Sequence, residues 1–187
     1  LPTQKQHGWV RLMFENWNSL GVGTQSWKLD RLNYLIKHLQ IDVLAGCESQ
    51  CNWSKVGPNH EFLALLAPGL AKKGVASHNR TENISRDQAG GTAIAGLGRI
   101  CDVINAVGMD ETGLGRWSWI QLGQGDTTTR VITAYLPNKP GRNARGRTVW
   151  EQHQQYFEAR GDFRYPSTIF INQLLALLTE WTEQGFH

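Results

Sequence analysis

Three polar side chains close apolar stretches of this chain: Asn16 in "GWVRLMFENWN" (8–18), Glu48 in "IDVLAGCES" (41–49) and Tyr135 in "TRVITAYLPN" (129–138). A carboxylate at the end of a buried run needs a compensating partner, and a divalent cation is one. Mg²⁺ takes one or two carboxylates and completes its shell with water and phosphate oxygens, whereas zinc prefers His and Cys. A single Glu with Asn nearby therefore suits Mg²⁺ (or Mn²⁺) better than zinc. Each residue also has a plainer use. Glu48 could be a loop carboxylate opening "ESQCNW", Asn16 a turn cap and Tyr135 an ordinary strand residue. The residues by themselves leave both uses open.

The elements that must position them can be read from periodicity. Residues 8–18 read as a strand with Val10, Leu12 and Phe14 on one face, running into the glycine-containing loop 18–26. Leu32, Leu35, Ile36 and Leu39 recur at helical spacing, predicting a helix from about Gln25 to Gln40. Residues 41–49 read as a short buried strand ending in Glu48. Residues 60–69 read as a strand or short helix, and 72–91 as a polar loop or hairpin. Strands are expected at 91–104, 115–123 and 127–138, joined as a meander. Two helices follow, over 148–160 and 167–185. The second places Phe170, Leu174, Leu177, Leu178 and Trp181 on one face, and Gly185 is its C-cap.

Composition sets bounds. The chain has 187 residues, enough for one domain with a sizeable core, and a net charge of +3 that permits a polyanionic partner without requiring one. Cys47, Cys51 and Cys101 form no disulfide framework, and reduced thiols in an intracellular protein are the expectation. No apolar stretch reaches the ~18 residues of a membrane span. The chain lacks an initiator Met, which suggests a segment of a longer protein.

Taken together, "FENWNSL" (14–20), "IDVLAGCESQ" (41–50), "GGTAIAGLGRI" (90–100) and "TRVITAYLPN" (129–138) resemble, in order and spacing, motifs of the endonuclease/exonuclease/phosphatase superfamily, whose fold is that of DNase I. The stretches "DETGLGRWSWIQL" and "TVWEQHQQYF" are further similar to apurinic/apyrimidinic-type endonuclease domains of eukaryotic retroelements. The resemblance implies an α/β fold: a partial DNase-I-like sandwich over 1–187, about one sheet with flanking helices. It implies metal-dependent hydrolysis of DNA phosphodiesters. Glu48 and Asn16 would bind the metal. Asn16, Asn18 and Tyr135 would act on the phosphate. Asn138, Lys139, Arg142 and Arg145, with Arg147, would lie along nucleic acid, although "KPGRNARGR" could equally be a solvated loop. Gly90 and Gly91 match a structural pair. A retroelement enzyme would be nuclear.

The family also uses a Gly-Asp-Phe-Asn motif that ends a buried strand, and a later Ser-Asp-His. No Ser-Asp-His occurs here. Gly161-Asp162-Phe163 is followed by Arg164 and preceded by the charged helical segment "EQHQQYFEAR", so Asp162 reads as part of a helix–helix connection. The expectation is that the later catalytic motifs lie beyond His187, that this chain alone is inactive, and that an apolar sheet face needs the missing half or a second copy to cover it. The alternatives are a non-catalytic module binding nucleic acid or protein, and a phosphoesterase acting on lipid or nucleotide phosphates.

Overall fold

The computed structural model describes residues 5–22, 26–57, 61–67, 69–82, 85, 87–141 and 147–186. Its elements are β1 (Leu12–Asn16), α1 (Trp27–His38), β2 (Val43–Cys47), α2 (Phe62–Leu65), β3 (Ala71–Ser77), β4 (Thr92–Leu97), β5 (Ile104–Met109), β6 (Trp117–Leu122), β7 (Thr129–Ala134), α3 (Val149–Glu158) and α4 (Pro166–Glu183). The strands form two sheets, ordered β1-β2-β4-β3 and β5-β6-β7, rather than about one. The first sheet is parallel only at β1–β2, the pair that α1 connects.

Two expectations change with this topology. The segment 72–91 contains a real strand, β3. Its Lys72, Lys73 and Gly74 are the composition of a guarded sheet edge, which reads as loop when edges are not considered. The run 91–104 is not one strand. It breaks at Gly98, where φ is +65°, and a 3₁₀ segment (Gly98–Val103) carries the chain into the second sheet. The meander is therefore β5-β6-β7, beginning at Ile104.

Alternation assigns the faces. On the inner side of the first sheet lie Val43, Ala45 and Ile94, packed against Ile104 and Ile120 of the second. Thr92 Oγ1 meets Ser118 Oγ at 2.9 Å across that space. On the outer side, Leu44, Ala93 and Ala95 pack under Leu29, Leu32 and Ile36 of α1. Trp117 and Trp119 point outward from β6 and meet Phe170 and Trp181 of α4 edge-on. The layers run helix, sheet, sheet, helix.

In α4, Ile169, Phe170 and Trp181 are buried, while Leu178, read on the same face as Phe170 and Trp181, is exposed. The helix ends as expected: Gly185 has φ +81°, and the N–H groups of Gly185 and Phe186 bond back to the Thr182 and Trp181 carbonyls. On β1, Leu12 and Phe14 share the inner face with Val43 and Ala45, yet are 49% and 56% exposed, because β1 is the sheet edge. No helix among the described residues is long and apolar enough to cross a membrane.

Candidate active site

At one end of the sandwich, the residues following β2 and β7 converge on a cleft of about 350 Å³ whose lining includes Glu48, Gln50, Tyr135, Asn138, Arg147 and Thr148. Glu48 is the first residue after the fully buried β2. Its φ is +56°, a left-handed conformation that costs a non-glycine residue of the order of 1 kcal/mol. That backbone is held on both sides: the Glu48 N–H donates to Gly91 O at 2.8 Å, and the Ser19 N–H donates to Glu48 O at 2.8 Å. Gly91 has no room for a side chain, since a Cβ there would sit 2.6 Å from Ser49 Oγ. The glycine pair is structural, as read from the sequence.

Tyr135 continues the inner face of β7 past Val131 and Thr133, and its N–H donates to Arg116 O at 2.8 Å. Parity therefore points the phenol into the space between the sheets, beside the Glu48 carboxylate on the same cleft. Burial, then the charge of Glu48, pushes the Tyr135 hydroxyl up to about 12, so it stays protonated and a donor at neutral pH. Burial also pushes the Cys47 thiol, next to Glu48, up to about 11, which makes it a poor nucleophile. All three cysteines are free and buried.

The other expected residues divide. Asn18 reaches the cleft through Gln50, whose Nε2 lies 3.4 Å from Asn18 Oδ1. Asn16 is exposed at the end of β1, and its Oδ1 accepts the Asn18 N–H at 3.0 Å, so one of its polar atoms is used in a turn. Asn138 lines the cleft. Lys139 leans instead toward the Tyr165 ring, 5.8 Å from its centroid. Arg142 and Arg145 lie outside the described residues. Arg147 lines the cleft and pairs with Glu82 at 2.6 Å. Sequence reasoning missed Gln50 and Thr148. Gln50 was signalled only by standing two residues after Glu48, and Thr148 only by the capping box it forms with Glu151 at the start of α3.

Asp162 is not in the site. It follows α3 in the connection to α4, bonds back to Phe157 O through its N–H at 3.0 Å, and forms an exposed ion pair with Arg164 at 2.6 Å.

The donor set can be tested against a divalent cation. Glu48 is half-buried and, among the described residues, has no cationic partner at ion-pair distance. No three His, Cys, Asp or Glu side chains gather among the described residues. This excludes an all-protein zinc-type cage there but fits the one-carboxylate, water-rich habit of Mg²⁺.

No family model matches the chain, and no curated protein matches it. Among solved structures it is similar to the 3′ phosphatase NExo from Neisseria, bound to a product DNA hairpin, with 18% identity and a TM-score of 0.51. The match covers 89% of this chain and 53% of that one, so this chain spans about half the neighbour's length. The likeness is one of fold, and the two-sheet sandwich with its flanking helices is of the DNase-I-like kind.

Proposed function

We propose that this chain is part of a metal-dependent phosphodiesterase acting on DNA, as in the endonuclease domains of retroelement-like proteins. The observation that carries the reading is Glu48: a half-buried carboxylate in a costly backbone conformation, with no cation beside it among the described residues, facing a phenol on a DNase-I-like sandwich. Strain and unpaired charge at a rim of strand ends support binding better than stability.

In this reading Glu48, with Asn16 at the end of β1, would hold Mg²⁺ or Mn²⁺, and Asn18 on the loop that follows would act on the phosphate. When bound, such an ion places positive charge against phosphate oxygens and acidifies a water. Tyr135 keeps its proton and would turn its O–H from Glu48 toward a non-bridging phosphate oxygen as a hydrogen-bond donor. Asn138 offers an amide at the mouth of the cleft. Arg147 can exchange Glu82 for a phosphate. The described lining holds no Asp or His able to serve as general base. The proposal therefore requires a base from elsewhere in a longer protein, whose remaining half, or a second copy, would also cover Leu12 and Phe14. Such a protein would work in the nucleus.

The absence of a base from the described lining favours one second reading, a module that binds nucleic acid without cutting it. Thermal melting with and without Mg²⁺ tests the metal site in this chain: Mg²⁺ stabilises the wild type and not Glu48→Ala. A Mg²⁺ response that survives Glu48→Ala sinks the proposed site. Plasmid nicking by the extended protein then separates enzyme from module. Turnover of a phosphoinositide or nucleotide in place of DNA would move the substrate class.

A further inference from the structure

The helix α1 carries a surface that its packing does not explain. Its buried face is Leu29, Leu32 and Ile36. The opposite, outermost ridge is Trp27, Arg31, Tyr34 and His38, at i, i+4, i+7 and i+11. An amphipathic helix ordinarily places polar residues there. Here Trp27 is 67% exposed and Tyr34 61% exposed. Tyr34 and His38 are already stacked, with ring centroids 5.2 Å apart and planes 12° from parallel. Arg31, Lys37 and His38 supply basic groups along and beside the ridge, against one acidic residue, Asp30, on its flank. Among the described residues Arg31 is held by an exposed pair with Glu15 at 2.9 Å, which a phosphate can replace at little cost.

The start of α1 is tied to the loop that borders the cleft. Lys28, in the first turn of α1, donates to the carbonyls of Trp17, Asn18 and Ser19 at 2.9, 2.6 and 3.0 Å. This ties the helix start to the loop that carries Asn18, and that loop bonds to Glu48 and Gln50. Along the ridge, Trp27 and Tyr34 are separated by about 10 Å of helix rise.

From this arrangement we infer that the outer ridge of α1 is a binding track for single-stranded nucleic acid, with Trp27 and the Tyr34–His38 pair as stacking platforms and Arg31 and Lys37 as phosphate contacts. Flat, exposed rings interleaved with cations on a convex surface suit unstacked bases. A duplex keeps its base faces inside and offers such rings nothing to stack on. The inference rests on the reading of the cleft as a nucleic-acid site and extends it to the segment flanking the reacting phosphate.

Fluorescence anisotropy with labelled oligothymidylate, in EDTA so that nothing is cut, tests it. The wild type binds, unlabelled single strand competes better than duplex, and Trp27→Ala/Tyr34→Ala weakens binding about ten-fold or more. The conservative Trp27→Phe/Tyr34→Phe keeps most of the affinity, because stacking survives. Absence of binding, equal competition by duplex, unchanged affinity in the alanine double variant, or an equal loss in the phenylalanine variant each overturns the inference. The Mg²⁺ melting response is measured on the same proteins. It stays intact in the ridge variants and is lost in Glu48→Ala, so failure of the track and failure of the metal site give different results.

Discussion

Two carboxylates in this protein immediately follow a strand, and they are treated in opposite ways. Asp110, after β5, is fully buried. It accepts hydrogen bonds from the Thr112 N–H and hydroxyl and from the Arg116 N–H, Nε and Nη2, at 2.7–3.2 Å. Arg116 is buried too. It lies over the Trp117 ring at 4.2 Å and donates to Gln173 of α4 at 2.6 Å. Desolvation works to raise the Asp110 pKa, but the hydrogen bonds and charge of Arg116 outweigh it and hold the carboxyl below its usual range. Glu48, after β2, has a phenol, an open cleft and a positive φ. The satisfied charge joins β5, β6 and α4 into one body. Glu48 faces an open cleft and, among the described residues, has no cationic partner at ion-pair distance. Such a difference separates a carboxylate that serves the fold from one available for chemistry.

The largest expected effect lies at the buried ion pair. Arg116→Ala leaves Asp110 buried and uncompensated and should cost about 3–5 kcal/mol in urea unfolding. A loss under about 1 kcal/mol would mean that the pair is not what holds α4 to the second sheet. Acid should erode the same region. Burial, then the charge of Arg116, lowers His153 to about 4, and burial, then Arg80, lowers His78 to about 4. Each folded-state pKa lies below the unfolded value near 6.5, so the unfolded chain binds more protons between those values. Their contribution is complete above about pH 6.5 and is lost as pH falls toward 4, by up to about 3 kcal/mol per histidine. Urea midpoints measured across that window check the slope. His153→Gln should flatten it.

At the other carboxylate the expected effects on stability are smaller, and those on function larger. If the proposed activity is right, Tyr135→Phe removes one charge-stabilising donor and should lower that phosphodiester hydrolysis about 10²-fold, with little change in melting. Glu48→Gln should leave the metal-free chain as stable as wild type or more so, by about 1 kcal/mol or less, while abolishing the Mg²⁺ response. If Glu48→Gln instead destabilised the protein as strongly as Arg116→Ala, the contrast between the two carboxylates would collapse. Asn138→Ala, at the exposed mouth, should change oligonucleotide affinity least.

Much of the Glu48 side of this contrast was legible. The strand endings at Glu48 and Tyr135 and the glycine pair could be read because short apolar runs and left-handed glycines leave local marks. Asp162 could be assigned to a helix connection for the same reason: the charged run before it and Pro166 after it are local. The Asp110–Arg116 pair passed unnoticed inside "DETGLGRWSWIQL", since nothing in a sequence distinguishes a buried arginine from a surface one. Gln50 and Thr148 were missed because their value depends on what faces them.

The chain by itself determined the alternation of its strands, the amphipathic stripe of α1, the caps of α3 and α4, and hence which residues point inward. These depend on contacts within a few residues. Only the tertiary structure decided that the strands separate into two sheets at Gly98, that Tyr135 of one sheet meets Glu48 of the other, and that Trp27 and Tyr34 stay outside. Those outcomes depend on pairings between segments far apart in sequence, whose free energy arises only when both faces are buried together.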